Sequence, residues 1–150
     1  KLFEHGKVEK TYWAIVEGTP PAGEGRIDLP LEKQSKDKSR WQMKIATPGT
    51  GLETITDYKL LGNTNGMSWV EFSPKTGRTH QIRVHAAAIG CPLVGDRIYN
   101  PNGQIIAPML QLHARGIHLP LYPKKDPIEA IAPAPEHMQQ NLALCGHKDD

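Results

Sequence analysis

The sequence predicts an α+β domain in which a mainly antiparallel or mixed β-sheet carries a short basic helix against one face. Three observations predict it. An apolar run rich in β-formers, "KTYWAIVEG" (Lys10 to Gly18), closes on a glycine and reads as a strand buried on both faces. Two alternating segments, "ETITDYKLLG" and "MSWVEFSP", are joined by "NTNG", whose Asn65 and Gly66 tolerate positive φ at low cost, as a hairpin turn requires. The clearest helical spacing lies at Ile82, Ala86 and Ile89, one stripe that Thr79 can cap and that Gly90 and Pro92 stop.

The other elements follow in chain order. "TPPAGEG" breaks the first strand, and "RIDLPL" resumes as a short strand whose Pro30 favours an edge or a strand end. From Glu32 to Lys44 five basic residues stand against Glu32 and Asp37, with Trp41 among them, which reads as a loop or ragged hairpin with a basic face, either solvated or turned to RNA. After "CPLVGDRIYN" comes a loop. "MLQLHARGIHLP" then alternates like a strand, "DPIEAIAPAPEHM" reads as a last extended piece, and "MQQNLALCGHKDD" as a short helix with a polar tail.

Composition narrows the classes of function. The 150 residues fit one core, and the 13 prolines and 14 glycines are spread along the chain, which indicates short strands and many turns. A net charge of +2 does not by itself mark a nucleic-acid binder, so basic residues must be sought in local clusters. Two cysteines, Cys91 and Cys145, lack the density of a disulfide scaffold and the CxxC spacing, so reduced thiols and a cytoplasmic location are expected. No apolar run reaches membrane-span length.

The densest chemistry is "TGRTHQIRVH", Thr76 to His85. On a helix His80 and Arg83 share a face, and Arg78 stands just ahead of the cap, so all three can converge on one anion near a helix N-terminus. Other chemistries are excluded. No GxxxxGK loop or dinucleotide fingerprint occurs, the histidines lack paired metal-ligand spacing, and no GxSxG nucleophile is present. A DNA-recognition reading of the basic helix would need a partner helix in a helix-turn-helix, and none is predicted.

"TGRTHQIRVHAAAIGCPLVGDRIY" resembles the signature of the RluA-type RNA pseudouridine synthases, close to TGRxHQIRVHxxxxGxPIxGDxxY. Four further stretches, "EKTYWAIVEG", "GRIDLPL", "GLETITDYKLL" and "LQLHA" with "IAPAPEHM", resemble family segments in the same order, so the likeness covers nearly the whole chain. It implies an α+β catalytic domain that, without metal or organic cofactor, detaches uracil from ribose in RNA, rotates it and rejoins it through C5. The RNA expected is ribosomal or transfer RNA, with no membrane partner. Tyr12 matches a tyrosine that packs on the base and serves in proton abstraction. Arg83 matches an arginine that ion-pairs with the nucleophilic aspartate, and Ile82 matches an apolar wall of the uracil pocket. Arg78, His80 and Gln81 are expected to complete the substrate-binding set.

Two departures matter. The aspartate of the family lies in an HRLDxxTSG segment upstream of the stretch matching "KTYWAIVEG", and this chain lacks that segment. Asp28, Asp57 and Asp96 are poor substitutes, being in strand-like or structural sequence. Leu52 and Thr54 also stand where the family has Lys and Ala. The chain opens on Lys1 directly into patterned sequence. The expectation is therefore that residues 1–150 form the C-terminal portion of a catalytic domain, inactive alone, the alternative being a non-catalytic RNA-binding module on the same scaffold.

Overall fold

The computed structural model of the chain describes residues 8–34, 42–119 and 128–148. The elements are β1 (Glu9–Glu17), β2 (Glu24–Asp28), β3 (Leu31–Lys33), β4 (Met43–Ile45), β5 (Ile55–Thr64), β6 (Met67–Pro74), α1 (Gln81–Ala88), β7 (Leu112–Leu119), β8 (Ile128–Ile131) and α2 (Glu136–Leu144). Six strands form one sheet in the order β2-β5-β6-β1-β7-β8, and β3 with β4 forms a separate ribbon. Every strand pairing among the described residues is antiparallel, so the mixed alternative falls away.

β1 is central because it is apolar on both sides. Ala14 and Val16 pack with Val70, Phe72 and, from α1, Ile82 and Ala86. Trp13 and Ile15 pack with Met67 and, from α2, Met138 and Leu142. One helix covers each face, giving three layers around a strand whose residues Trp13 to Val16 are all buried. Each fully buried aliphatic side chain of this kind contributes about 1.5–3 kcal/mol, which is why an uninterrupted apolar run settles in the middle and not at an edge.

The β5–β6 hairpin turns at Asn65 (φ 36) and Gly66 (φ 82), both in the left-handed region that a two-residue hairpin turn needs. A register shift lies between Leu60 and Gly62. Gly62 sits so close to the Cys145 carbonyl that a Cβ would have no room.

Three expectations require correction, and a fourth, left open between loop and hairpin, is resolved. "RIDLPL" is two strands in different sheets: β2 holds the sheet edge on β5, and Pro30 separates it from β3, which pairs with β4 instead. The ragged basic hairpin is this β3–β4 ribbon, whereas residues 35–41 with Trp41 lie outside the described residues. Helix α1 is not capped by Thr79. Its N-cap is His80, in a left-handed conformation (φ 54, ψ 21), without a side-chain capping bond. Finally, Glu136 and His137 belong to α2, with extended Pro135 as N-cap, since a proline just before the first turn costs the helix no hydrogen bond.

Candidate active site

The segment between β6 and α1 is built by one side chain. Gln81 is buried at 4% exposure, and its amide is fully engaged by the protein. Its Oε1 accepts from Thr76 Oγ1 (2.7 Å) and the Arg78 N–H (3.0 Å), while its Nε2 donates to the Ile55 carbonyl (2.8 Å) and Thr56 Oγ1 (2.9 Å). Thr56 passes the chain on to His85 Nδ1 at 2.8 Å, and His85 Nε2 donates to the Leu29 carbonyl at 2.9 Å. Burial pushes the His85 pKa down, keeping the ring neutral. This saturated circuit ties the start of α1 to β5 and to the end of β2. It does the work expected of a Thr79 cap, and Thr79 itself is exposed.

Arg83 points at Asp96 from one turn further along. Its Nε donates to Oδ2 at 2.9 Å and its Nη2 to Oδ1 at 2.8 Å, a bidentate fork. Oδ1 also accepts the N–H groups of Ile98 and Tyr99, each at 3.0 Å. Burial raises the Asp96 pKa, but the Arg83 fork and these amides outweigh it and hold the carboxyl below its usual range. The bond to Asp96 in turn raises Arg83. Gly95 (φ 82) precedes Asp96 because a Cβ there would run into the Met109 carbonyl.

Tyr99 completes the support. Its ring lies 5.2 Å from the Arg83 guanidinium carbon, its Oη accepts the Met43 N–H at 3.0 Å, and it stands 2.7 Å from His80 Nδ1. Burial, and then the Arg83 charge, lower the His80 pKa.

All six residues expected at the site line one open cleft of about 400 Å³: Tyr12, Arg78, His80, Gln81, Ile82 and Arg83. Tyr12 reaches it from β1, where it is paired with Phe72 on one side and Ala114 on the other. The six are not equivalent. Ile82 and Tyr12 offer apolar surface, together with Leu110 and Leu112 on the far wall. Arg78 lines the mouth but donates through Nε to the Glu53 carbonyl at 3.0 Å. Gln81 has its amide committed to the scaffold.

Asp96, Tyr99, Leu110 and Leu112 were not among the expected site residues. Asp96 and Tyr99 stand in "GDRIY", directly after the helix, and that Gly-Asp step with an aromatic residue three positions on was the available signal. The other acidic candidates lie away from the cleft. Asp57 is forked by Arg26 across β2 and β5, with Nε at 2.7 Å and Nη2 at 3.1 Å, and this bond holds its carboxyl low. Asp28 is exposed on β2. Among the described residues no carboxylate lines the cleft, and no group of three or more His, Cys, Asp or Glu could hold a metal ion.

Comparison with known proteins adds a family. The model described as RNA pseudouridylate synthase matches residues 1–88. An uncharacterised RNA pseudouridine synthase of Zymomonas mobilis is 44% identical over 137 residues, covering 91% of this chain and 61% of that protein. The dual-specificity RNA pseudouridine synthase RluA of Yersinia pestis is 37% identical over 117 residues, covering 77% of this chain and 55% of that protein. The chain thus spans little more than half the length of these relatives. Among solved structures, human RNA pseudouridylate synthase domain containing 4 has the same fold, with a TM-score of 0.76 at 23% identity over 99% of this chain and 67% of that one.

Proposed function

The chain belongs to the RNA pseudouridylate synthase family, of the RluA type, and on that premise we propose that it supplies the base-holding half of an active site converting uridine to pseudouridine in ribosomal or transfer RNA. The observation that carries the reading is the convergence of Tyr12 from β1 with Ile82 and Arg83 from α1 on one cleft, two stretches some 70 positions apart in the sequence. No cofactor is needed for this isomerisation. Residues 1–150 act as the C-terminal portion of the catalytic domain, in a cytoplasmic protein, which accords with Cys91 and Cys145 being buried as free thiols.

In this reading Tyr12 stacks on the uracil and moves a proton, and Ile82 with Leu112 walls the base in. A flipped-out uridine is the form of substrate such a cleft admits. The Arg83 fork on Asp96 uses Nε and Nη2, so Nη1 is the group that would meet the nucleophilic carboxylate of an HRLDxxTSG segment. An arginine there keeps the attacking aspartate ionised, lowering its pKa by about 1–3 units. Asp96 is not that nucleophile. It is 2% exposed and its oxygens are taken up by Arg83 and two amides.

The test is tritium release from RNA labelled at uridine C5, comparing residues 1–150 with a longer parent protein carrying the aspartate segment. Release by the parent alone is expected. Release by both would make an aspartate of this chain the nucleophile, and release by neither would favour a non-catalytic RNA-binding module.

A further inference from the structure

Building on the synthase reading, we infer that His80 determines base specificity: its Nε2–H is a fixed donor that holds O4 of the uracil before the base turns and O2 after it.

The direction of the donor follows from its neighbours. Tyr99 Oη accepts the Met43 N–H at 3.0 Å and lies 2.7 Å from His80 Nδ1. The amide can only donate, so among the described residues Nδ1 is the acceptor available to the phenolic proton. A protonless Nδ1 places the ring proton of a neutral imidazole on Nε2. Burial keeps Tyr99 protonated, and burial with Arg83 keeps His80 neutral. Nε2 meets no partner among the described residues, yet it is not one of their buried unpaired polar atoms, so it opens to the cleft that His80 lines.

The ring is also held in place. It stacks edge to face on Tyr99 with centroids 5.5 Å apart. Its backbone sits at φ 54, a conformation costly for a residue other than glycine. The other such residue described, Asn65, lies in a hairpin turn that demands it. His80 is the third residue of a turn closed by the Gln81 N–H on the Arg78 carbonyl at 3.2 Å, the position that takes positive φ, so the turn and the Tyr99 contact together fix where the ring stands.

Uracil suits such a donor twice. Turning the detached base about its N3–C6 axis exchanges N1 with C5 and, with them, O4 with O2. A donor aimed at one carbonyl position therefore finds a carbonyl again in the product. Cytosine presents an amino group at C4, donor against donor, and a site built around a hydrogen bond rejects the analogue that cannot make it.

The chain labelled with nitrogen-15 tests this directly, through long-range proton–nitrogen spectra of its imidazoles and titration with uridine and cytidine monophosphates. The expected result is a His80 proton on Nε2, a downfield shift of that proton with the uridine nucleotide, and a preference of about tenfold or more over the cytidine nucleotide. Tyr99→Phe should give mixed His80 tautomers and lose the preference. A proton on Nδ1 in the unsubstituted chain, an equal response to both nucleotides, or no response to the uridine nucleotide would overturn the inference. A parent protein that releases no tritium while the chain shows the tautomer and the preference would instead sink the synthase reading and leave the donor in place.

Discussion

On the α1 side of the sheet, Gln81, Thr56, His85 and Asp96 are buried together with their hydrogen-bonding capacity met. On the α2 side the contacts are chiefly apolar: Trp13, Ile15, Met138 and Leu142, with Trp13, Trp69 and His147 edge to face at 4.9–5.1 Å. The one buried side-chain polar atom left unpaired among the described residues, Trp69 Nε1, belongs to that second side. Packing fixes how much area is covered, whereas directional bonds fix where an atom points. The α2 side has one buried amide of this kind, Gln111, bonded to the His137 carbonyl and to Asn141, and the side that must aim a guanidinium and an imidazole is the one richer in directional bonds.

That contrast can be tested at graded cost. Arg83→Met should be the most damaging, about 3–5 kcal/mol in urea melts, because it leaves the Asp96 carboxylate buried without its cation. In the parent protein it should also abolish tritium release. Leu142→Ala should cost about 2–5 kcal/mol through the cavity it opens, with the nucleotide response of His80 unchanged. If that response were lost as well, the two sides would not be independent. Thr56→Val should cost about 1–3 kcal/mol, leaving His85 Nδ1 without its donor, and should disturb the Arg78 to His80 resonances more than those of α2.

The smallest effect concerns pH. His80 and His85 both have folded pKa values below the ordinary 6.5, so the unfolded chain binds more protons than the folded one as pH falls through that value. Stability is complete above about pH 6.5 and declines below it. Asp57 and Asp96 are held below their ordinary 3.8 and add a loss only below about pH 5, so the interval between about 5 and 6.5 belongs to the histidines. A urea midpoint that rose on acidification through that interval would contradict the buried neutral ring of His85.

What could be read from the sequence was local. The Asn65–Gly66 turn needs only its own two residues, and the double burial of β1 is visible as an unbroken apolar run. The start of α1 was misplaced because its true anchor, Gln81, bonds to Ile55 and Thr56, some 25 positions back. Nothing in "GRTH" announces that His80 adopts positive φ. Arg83 was found by its resemblance, but Asp96 as its partner was not, since "GDRIY" has the look of a structural turn until the helix places the fork over it. Tyr12 shows the limit most clearly: by pattern alone, within an apolar strand, it is indistinguishable from core, and it is the resemblance that marks it for the site and the fold that brings it to the cleft.

The register of β1 has a consequence for how this strand can vary in length. Pairing of β1 with β7 steps between Thr11 and Tyr12, opposite Gly116 and Ala114, with Arg115 between them, while pairing with β6 begins only at Tyr12. A residue gained just before Tyr12 could stand opposite Arg115 and cancel the step, and Tyr12 would keep its side. A residue gained between Tyr12 and Trp13 would send Trp13 toward α1 and Ala14 toward α2, inverting two cores at once. Insertion tolerance along β1 should therefore stop abruptly at Tyr12, so that homologous chains can drift in length ahead of this tyrosine and not behind it.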